Sequence, residues 1–138
     1  MEKYVIKGNV PAKKNSKQIT VRGGKPFVRC SDRYRLWNED AVMQLRLQKP
    51  KYFERCVIEM IFYYSDKRKR DSDNGVNSVF DTLQDAGIIQ DDNYQIIPMH
   101  IAKSFYDKKN PRVEIYIYEV KNEIENALYS TIFSKLKY

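Results

Sequence analysis

The stretch Cys56-Val57-Ile58-Glu59-Met60-Ile61-Phe62-Tyr63-Tyr64, followed by Ser65-Asp66-Lys67-Arg68-Lys69-Arg70 and then Asp71-Ser72-Asp73-Asn74, decides the fold. In its first part Cys56, Ile58, Met60, Phe62 and Tyr64 share one face at the two-residue period of a strand. Further on, Val76, Val79, Phe80 and Leu83 recur at i, i+3, i+4 and i+7, the apolar stripe of a helix. Asp73 stands where that helix needs a cap and Gly87 where it needs a stop. A strand, a basic loop and an amphipathic helix therefore follow one another.

Upstream, Tyr4–Val10 reads as a strand ending at Pro11, and residues 12–17 as a polar, basic loop. Gln18–Arg22 and Lys25–Arg29 flank Gly23-Gly24, a hairpin signal. Ser31 or Asp32 caps a helix reaching about Gln48, with Pro50 beyond it and Tyr34, Trp37, Ala41 and Leu45 on its apolar side. Downstream, strands are expected at Tyr94–Ala102 and Arg112–Val120, then an amphipathic helix from Asn122 or Glu123 to Leu136. This order predicts one α+β domain, a mixed or antiparallel sheet with packed helices. Residues 1–120 form its body and 121–138 a helical extension.

With 138 residues and 42% hydrophobic side chains, the chain supports one modest core. Glu59 interrupts the most apolar run, and Met1-Glu2-Lys3-Tyr4 lacks the apolar segment of a signal peptide, so no membrane association and a cytoplasmic location are expected. Cys30 and Cys56 lie far apart and read as reduced thiols. Two cysteines and the single His100 exclude the usual His/Cys zinc site. Any bound metal needs oxygen ligands.

The formal charge of +7 conceals a split. Residues 1–70 carry 18 Lys and Arg against 7 Asp and Glu; residues 71–138 carry 7 against 11. A basic half points to a polyanionic partner, with a merely solvated surface as the bland alternative. From Asp71 to Ala102 there is no Lys or Arg, yet the window holds Asp71, Asp73, Asp81, Asp85, Asp91 and Asp92. Unscreened like charges repel, so basic residues, solvent or a cation must offset them.

In an extended segment Asp71 and Asp73 point to the same side, and Asp91-Asp92 offer a second pair that only tertiary folding can bring to the first. Converging carboxylates suit Mg²⁺ or Mn²⁺. Such an ion polarises a phosphate oxygen and lowers the pKa of a bound water. For any single aspartate the structural reading competes: Asp73 as a cap, Asp81 and Asp85 on a wet helix face. A calcium loop fails, because Gly75 comes one position early and Thr82 stands where a bidentate Glu is required. No Walker loop is present, and nothing around His100 makes a triad.

Asp71-Ser72-Asp73-Asn74, then Phe80-Asp81-Thr82-Leu83, Ala86-Gly87 and Asp91-Asp92, resemble the RusA family of Holliday junction resolvases. The basic run Lys67–Arg70 and the segment Pro11-Ala12-Lys13-Lys14-Asn15-Ser16 agree with that pattern, and the resemblance spans roughly residues 1–120. It implies a Mg²⁺-dependent endodeoxyribonuclease, with Mn²⁺ as a substitute, acting as a homodimer on four-way or otherwise branched DNA. It also implies a bacterial or phage-encoded source and a role in DNA recombination and repair. Catalysis would fall on Asp71, Asp73 and Asp92, with Asp91 joining them around the metal. DNA contacts would come from Lys13, Lys14, Asn15, Lys17, Lys67, Arg68, Lys69, Arg70, Asn74 and Asn77, with Arg33 and Arg35 as further basic candidates.

Two departures stand out. The family pattern usually has a lysine three residues after the asparagine, where this chain has the uncharged Asn77; Arg70 or Lys103 would have to supply the charge. Residues 121–138 extend beyond the resemblance. The alternatives are a catalytically weak or inactive branched-DNA-binding protein of the same fold, and a basic module that binds an acidic protein.

Overall fold

The computed structural model describes residues 1–12, 17–30 and 32–121, together with Thr131 and Ser134. In chain order the elements are β1 (Glu2–Lys7), β2 (Lys17–Arg22), β3 (Lys25–Cys30), α1 (Asp32–Leu47), β4 (Cys56–Tyr64), α2 (Asn74–Asp85), β5 (Met99–Tyr106) and β6 (Arg112–Glu119). A four-stranded sheet runs β1-β6-β4-β5. β4 and β5 are parallel, joined through α2, while the β1–β6 and β4–β6 pairs are antiparallel. The mixed α+β sheet is the one expected. β2 and β3 form a separate hairpin, and the turn glycines Gly23 and Gly24 take φ values of 57° and 77°. Positive φ at both centres is what a tight hairpin turn demands.

β4 forms the middle of the core: Cys56 to Met60 are buried throughout, with its two faces in separate clusters. Cys56, Ile58, Met60 and Phe62 are all buried, and Ile6, Val113, Ile115 and Ile117 from neighbouring strands lie in the same cluster. Val76, Val79, Phe80 and Leu83 of α2 close over this face, as do Ala41 and Leu45 of α1. α1 also seals the sheet edge. Gln48 exchanges two hydrogen bonds with the backbone of Val5, and the N–H of Lys7 donates to Gln44 Oε1 at 2.8 Å. These side chains satisfy polar groups that an edge strand otherwise leaves open.

α2 ends where Gly87 was expected to stop it. Gly87 has φ 77°, its N–H donates to Gln84 O, and the Ile88 N–H reaches back to Leu83 O. This is the Schellman arrangement, with Ile88 and Leu83 both fully buried against it. Ile88 then fixes the chain at the start of β4, because its carbonyl accepts from Phe53 N–H.

The strand expected at Tyr94–Ala102 begins only at Met99. Asn93 explains the difference: its Oδ1 accepts from the N–H groups of Gln95 and Ile96, and its backbone carbonyl also accepts from Ile96 and Ile97. These turns consume the donors a strand would need, and Pro98 has none to offer. β1 is likewise shorter than Tyr4–Val10, because Gly8 turns the chain with φ 101°. The helix expected up to Leu136, and with it the extension 121–138, falls outside the described residues apart from Lys121, Thr131 and Ser134.

Candidate nucleic-acid and metal site

The loop between β4 and α2 carries the chemistry. It leaves the sheet at Tyr64 and is tied down at Ser65, which bonds Asn9 in both directions: Asn9 Nδ2 donates to Ser65 Oγ at 2.8 Å and Ser65 N–H donates to Asn9 Oδ1 at 2.9 Å. Ser78 Oγ on α2 donates to the Pro11 carbonyl. Residues Asn9–Ala12 are thereby drawn against the loop. Asn9, Val10, Pro11, Ala12, Arg33, Tyr64, Arg68, Lys69, Arg70, Asp71, Asn74 and Gly75 enclose a groove of about 590 Å³. Asn9 was not singled out from the sequence; only its place just before the Pro11 segment hinted at it.

Arg70 is held from several sides. Its Nη1 donates to Asp66 Oδ1 at 2.8 Å and its Nη2 to Asp66 Oδ2 at 3.2 Å. Its guanidinium lies 4.1 Å from the centre of the Tyr64 ring, which stacks in turn on Phe62. The bidentate bond from Arg70, helped by the Arg68 N–H, holds the Asp66 carboxyl down at about 2. Burial pushes the Tyr64 hydroxyl up, against the opposing charge of Arg70.

Asp71 and Asp73 are both exposed at the entry of α2. Asp73 occupies the N-cap position, but its side chain makes no capping hydrogen bond; its φ of −96° and ψ of −13° are already helical. The expected cap role is therefore not played, because capping needs an extended backbone that aims the carboxylate at the next turn. Among the described residues neither carboxylate takes part in an ion pair, although the basic run adjoins them. Asn74, expected to touch DNA, is only 5% exposed. It lines the groove at the head of α2, where its Nδ2 approaches Asp71 Oδ2 at 3.4 Å and its Oδ1 has no hydrogen-bond partner among the described residues.

Asp91 and Asp92 do not join this group. α2 spans twelve residues, about 18 Å, between Asp73 and the turn that precedes them. Gly75 at its start sits against Phe62 and Tyr64, whereas Ile88 and Ile96 beyond its end bond Phe53 and Cys56 at the opposite end of β4. The expected meeting of Asp71, Asp73 and Asp92 is thus not seen within the single chain, where α2 separates them in sequence and its two ends lie at different ends of β4. Among the described residues, no three His, Cys, Asp or Glu side chains surround a point that could hold an ion. Asp91 accepts from the Asp92 N–H at 2.8 Å and from Asn93 Nδ2 at 3.1 Å, and these bonds lower its carboxyl below the usual range.

Of the basic candidates, Arg33, Arg68, Lys69 and Arg70 line the larger groove, and Lys67 lines an adjoining one. Arg35 pairs with Asp32 and Glu39 on its own helix. Lys103 is on the sheet face away from the helices, 3.6 Å from the buried Glu59, so it cannot stand in for the missing lysine. Asn77 is exposed on α2 and lines neither groove. Lys13, Lys14, Asn15 and the Lys17 side chain lie outside the described residues. Asp81, expected on a wet face, is half-buried and accepts from Tyr34 OH at 2.7 Å.

The pattern described as Endodeoxyribonuclease RusA matches residues 8–118, nearly the whole described body. The chain belongs to the RusA family. It is 31% identical over 105 residues to the crossover junction endodeoxyribonuclease RusA of Aquifex aeolicus (strain VF5), covering 75% of this chain and 79% of that one. The family match takes in both aspartate pairs and the loop that carries Arg70. No helix among the described residues is long and apolar enough to cross a membrane.

Proposed function

We propose that this protein is an endodeoxyribonuclease that resolves four-way and other branched DNA in recombination and repair, in the cytoplasm of a bacterium or phage-infected cell. The observation that carries the reading is the groove in which Asp71, in no ion pair among the described residues, is set among Arg33, Arg68, Lys69 and the clamped Arg70. Cations draw in the phosphate backbone, giving salt-sensitive binding with little sequence preference. A carboxylate left unpaired among them suits metal-assisted hydrolysis.

The donor chemistry fits Mg²⁺ or Mn²⁺. Both are hard cations, and Mg²⁺ is usually held by one or two carboxylates with waters and substrate phosphates rather than by an all-protein cage. Asp71 and Asp73 would hold it, next to Oδ1 of buried Asn74, which has no hydrogen-bond partner among the described residues. A divalent ion there supplies a polarised phosphate oxygen and an acidified water. Arg70, in place of the uncharged Asn77, neutralises the phosphate that is cut.

Homodimerisation supplies the rest of the site. Asp92 follows the far end of α2 from Asp71, so a second copy would be the source of the missing ligands, and two-fold pairing suits a junction that is itself roughly symmetric. Asp91 and Asp92 of one copy would complete the ligands of the other. The test is a labelled four-way junction incubated with and without Mg²⁺ or Mn²⁺. Cutting only with the ion is expected. Binding with no cutting under either ion would favour the inactive DNA-binding reading.

A further inference from the structure

Beside the main groove is a second of about 280 Å³, lined by Tyr64, Lys67, Arg68, Arg70, Asp71 and Tyr106 among others. Its distinctive residue is Tyr106 at the end of β5. Tyr106 is opposite Tyr64 in the parallel register, so both rings rise from the same face of the sheet on adjacent strands. They meet different fates. Tyr64 is covered by Arg70, whereas Tyr106 is 48% exposed, with the Lys67 ammonium 4.9 Å from its ring centre. Tyr106 therefore presents an open π-face beside the cations of this groove.

We propose that Tyr106 is the platform for an unpaired nucleobase, splayed from the branch point while its phosphate is held at Arg70, beside Asp71. This rests on the branched-DNA reading above and adds the group that tells a branch from a duplex. Three features commit the occupant to a nucleotide. The groove joins an exposed π-face to three cations, Lys67, Arg68 and Arg70. It also contains Asp71, so a base on Tyr106 and a phosphate at the candidate metal site belong to neighbouring positions of one strand. Finally, the platform is anchored: the N–H of Asp107, the next residue, donates to Tyr64 O at 2.8 Å, which fixes the strand end beneath the ring.

Lys67 plays a double part. An exposed cation over an aromatic ring is a weak contact, weaker than a base stacked on the same ring. An arriving base displaces the ammonium, which moves to the adjacent phosphate. A paired base in an intact duplex cannot reach the ring without leaving its own stack, so the gain is confined to DNA with unpaired or loosened bases.

The test compares equilibrium binding of a four-way junction and of a duplex of the same sequence, in EDTA so that no strand is cut. Tyr106→Ala should weaken junction binding by about ten-fold and duplex binding by less than about two-fold, with Tyr106→Phe close to the unaltered protein. Equal losses on both DNAs, or no loss on the junction, would overturn the proposal. A second measurement uses the unaltered protein: 5-iodouracil at the branch point is photo-cross-linked and the adduct mapped. An adduct on Tyr106 supports the platform, and its absence overturns it even where the alanine variant folds poorly. If the unaltered protein binds junction no better than duplex, the branched-DNA reading itself fails, which is a distinct result.

Discussion

Asp66 grips Arg70 through both carboxylate oxygens, at 2.8 Å and 3.2 Å, across a loop with no helix to hold the pair in register. An exposed ion pair of this kind adds little to stability. Its effect is to fix a flexible side chain before the substrate arrives, over the Tyr64 ring and next to Asp71. The order lost on binding a phosphate is then smaller, which favours a positioned cation over a mobile one.

Arg70→Ala should therefore lower the cleavage rate by about a hundred-fold, the size expected for loss of one charge-stabilising donor. Asp66→Asn should cost about ten-fold by loosening Arg70. The double variant should be no worse than Arg70→Ala alone. Single-turnover cleavage of all three variants checks this, and additive losses would show that Asp66 acts independently.

Asp73→Asn should abolish cutting and leave stability almost unchanged. A true N-cap aspartate contributes about 1 kcal/mol, but here the carboxylate makes no capping bond. Urea unfolding should give a difference within about 0.5 kcal/mol, and junction binding should persist or tighten because a negative charge near the phosphate is gone.

Gly75→Ala tests how closely α2 seats on the sheet. A Cβ there would be 2.8 Å from Phe62 Cε1 and 3.0 Å from the Tyr64 hydroxyl. Phe62 is only 2% exposed and cannot swing away. The helix start must shift, costing about 1–3 kcal/mol and displacing Asp71 and Asp73. Denaturant midpoints and cleavage rates should fall together.

Burial pushes the Cys56 thiol up to about 12 from an ordinary 9.0. The folded chain thus keeps its proton at pH values where the unfolded chain releases it. Stability is full below about pH 9 and declines as pH rises from there towards 12. Unfolding midpoints across that window, compared with Cys56→Ala, should show a steeper decline where the thiol is present, because Tyr64 adds a decline of the same sign to both proteins. In the native protein at neutral pH, Cys56 should resist alkylation.

Local periodicity carried most of the fold. The two-residue alternation of β4, the stripe Val76–Leu83, and the Gly23-Gly24 and Gly87 signals all stand in the structure where short-range sterics place them. Features that depend on distant partners were not legible. Nothing near Gln44 and Gln48 announces that they seal the β1 edge, and nothing near Asn9 announces Ser65. Asn93 turned a stretch with strand composition into turns through its own side chain. The site was legible in composition, since Arg70 and Asp71 were marked by adjacency of charge. Its layout was not: the spacing of Asp73 and Asp92 does not reveal that the ends of the intervening helix lie at different ends of β4.

The most direct measurement mixes two inactive variants, Asp73→Asn and Asp92→Asn, under conditions that let subunits exchange, and scores nicking of a four-way junction with Mg²⁺. If Asp92 serves the other copy, each mixed dimer keeps one intact site. Random pairing then restores about a quarter of the unaltered number of sites. A mixture as inactive as its parents, or an Asp92→Asn protein that cuts normally on its own, would contradict the shared site.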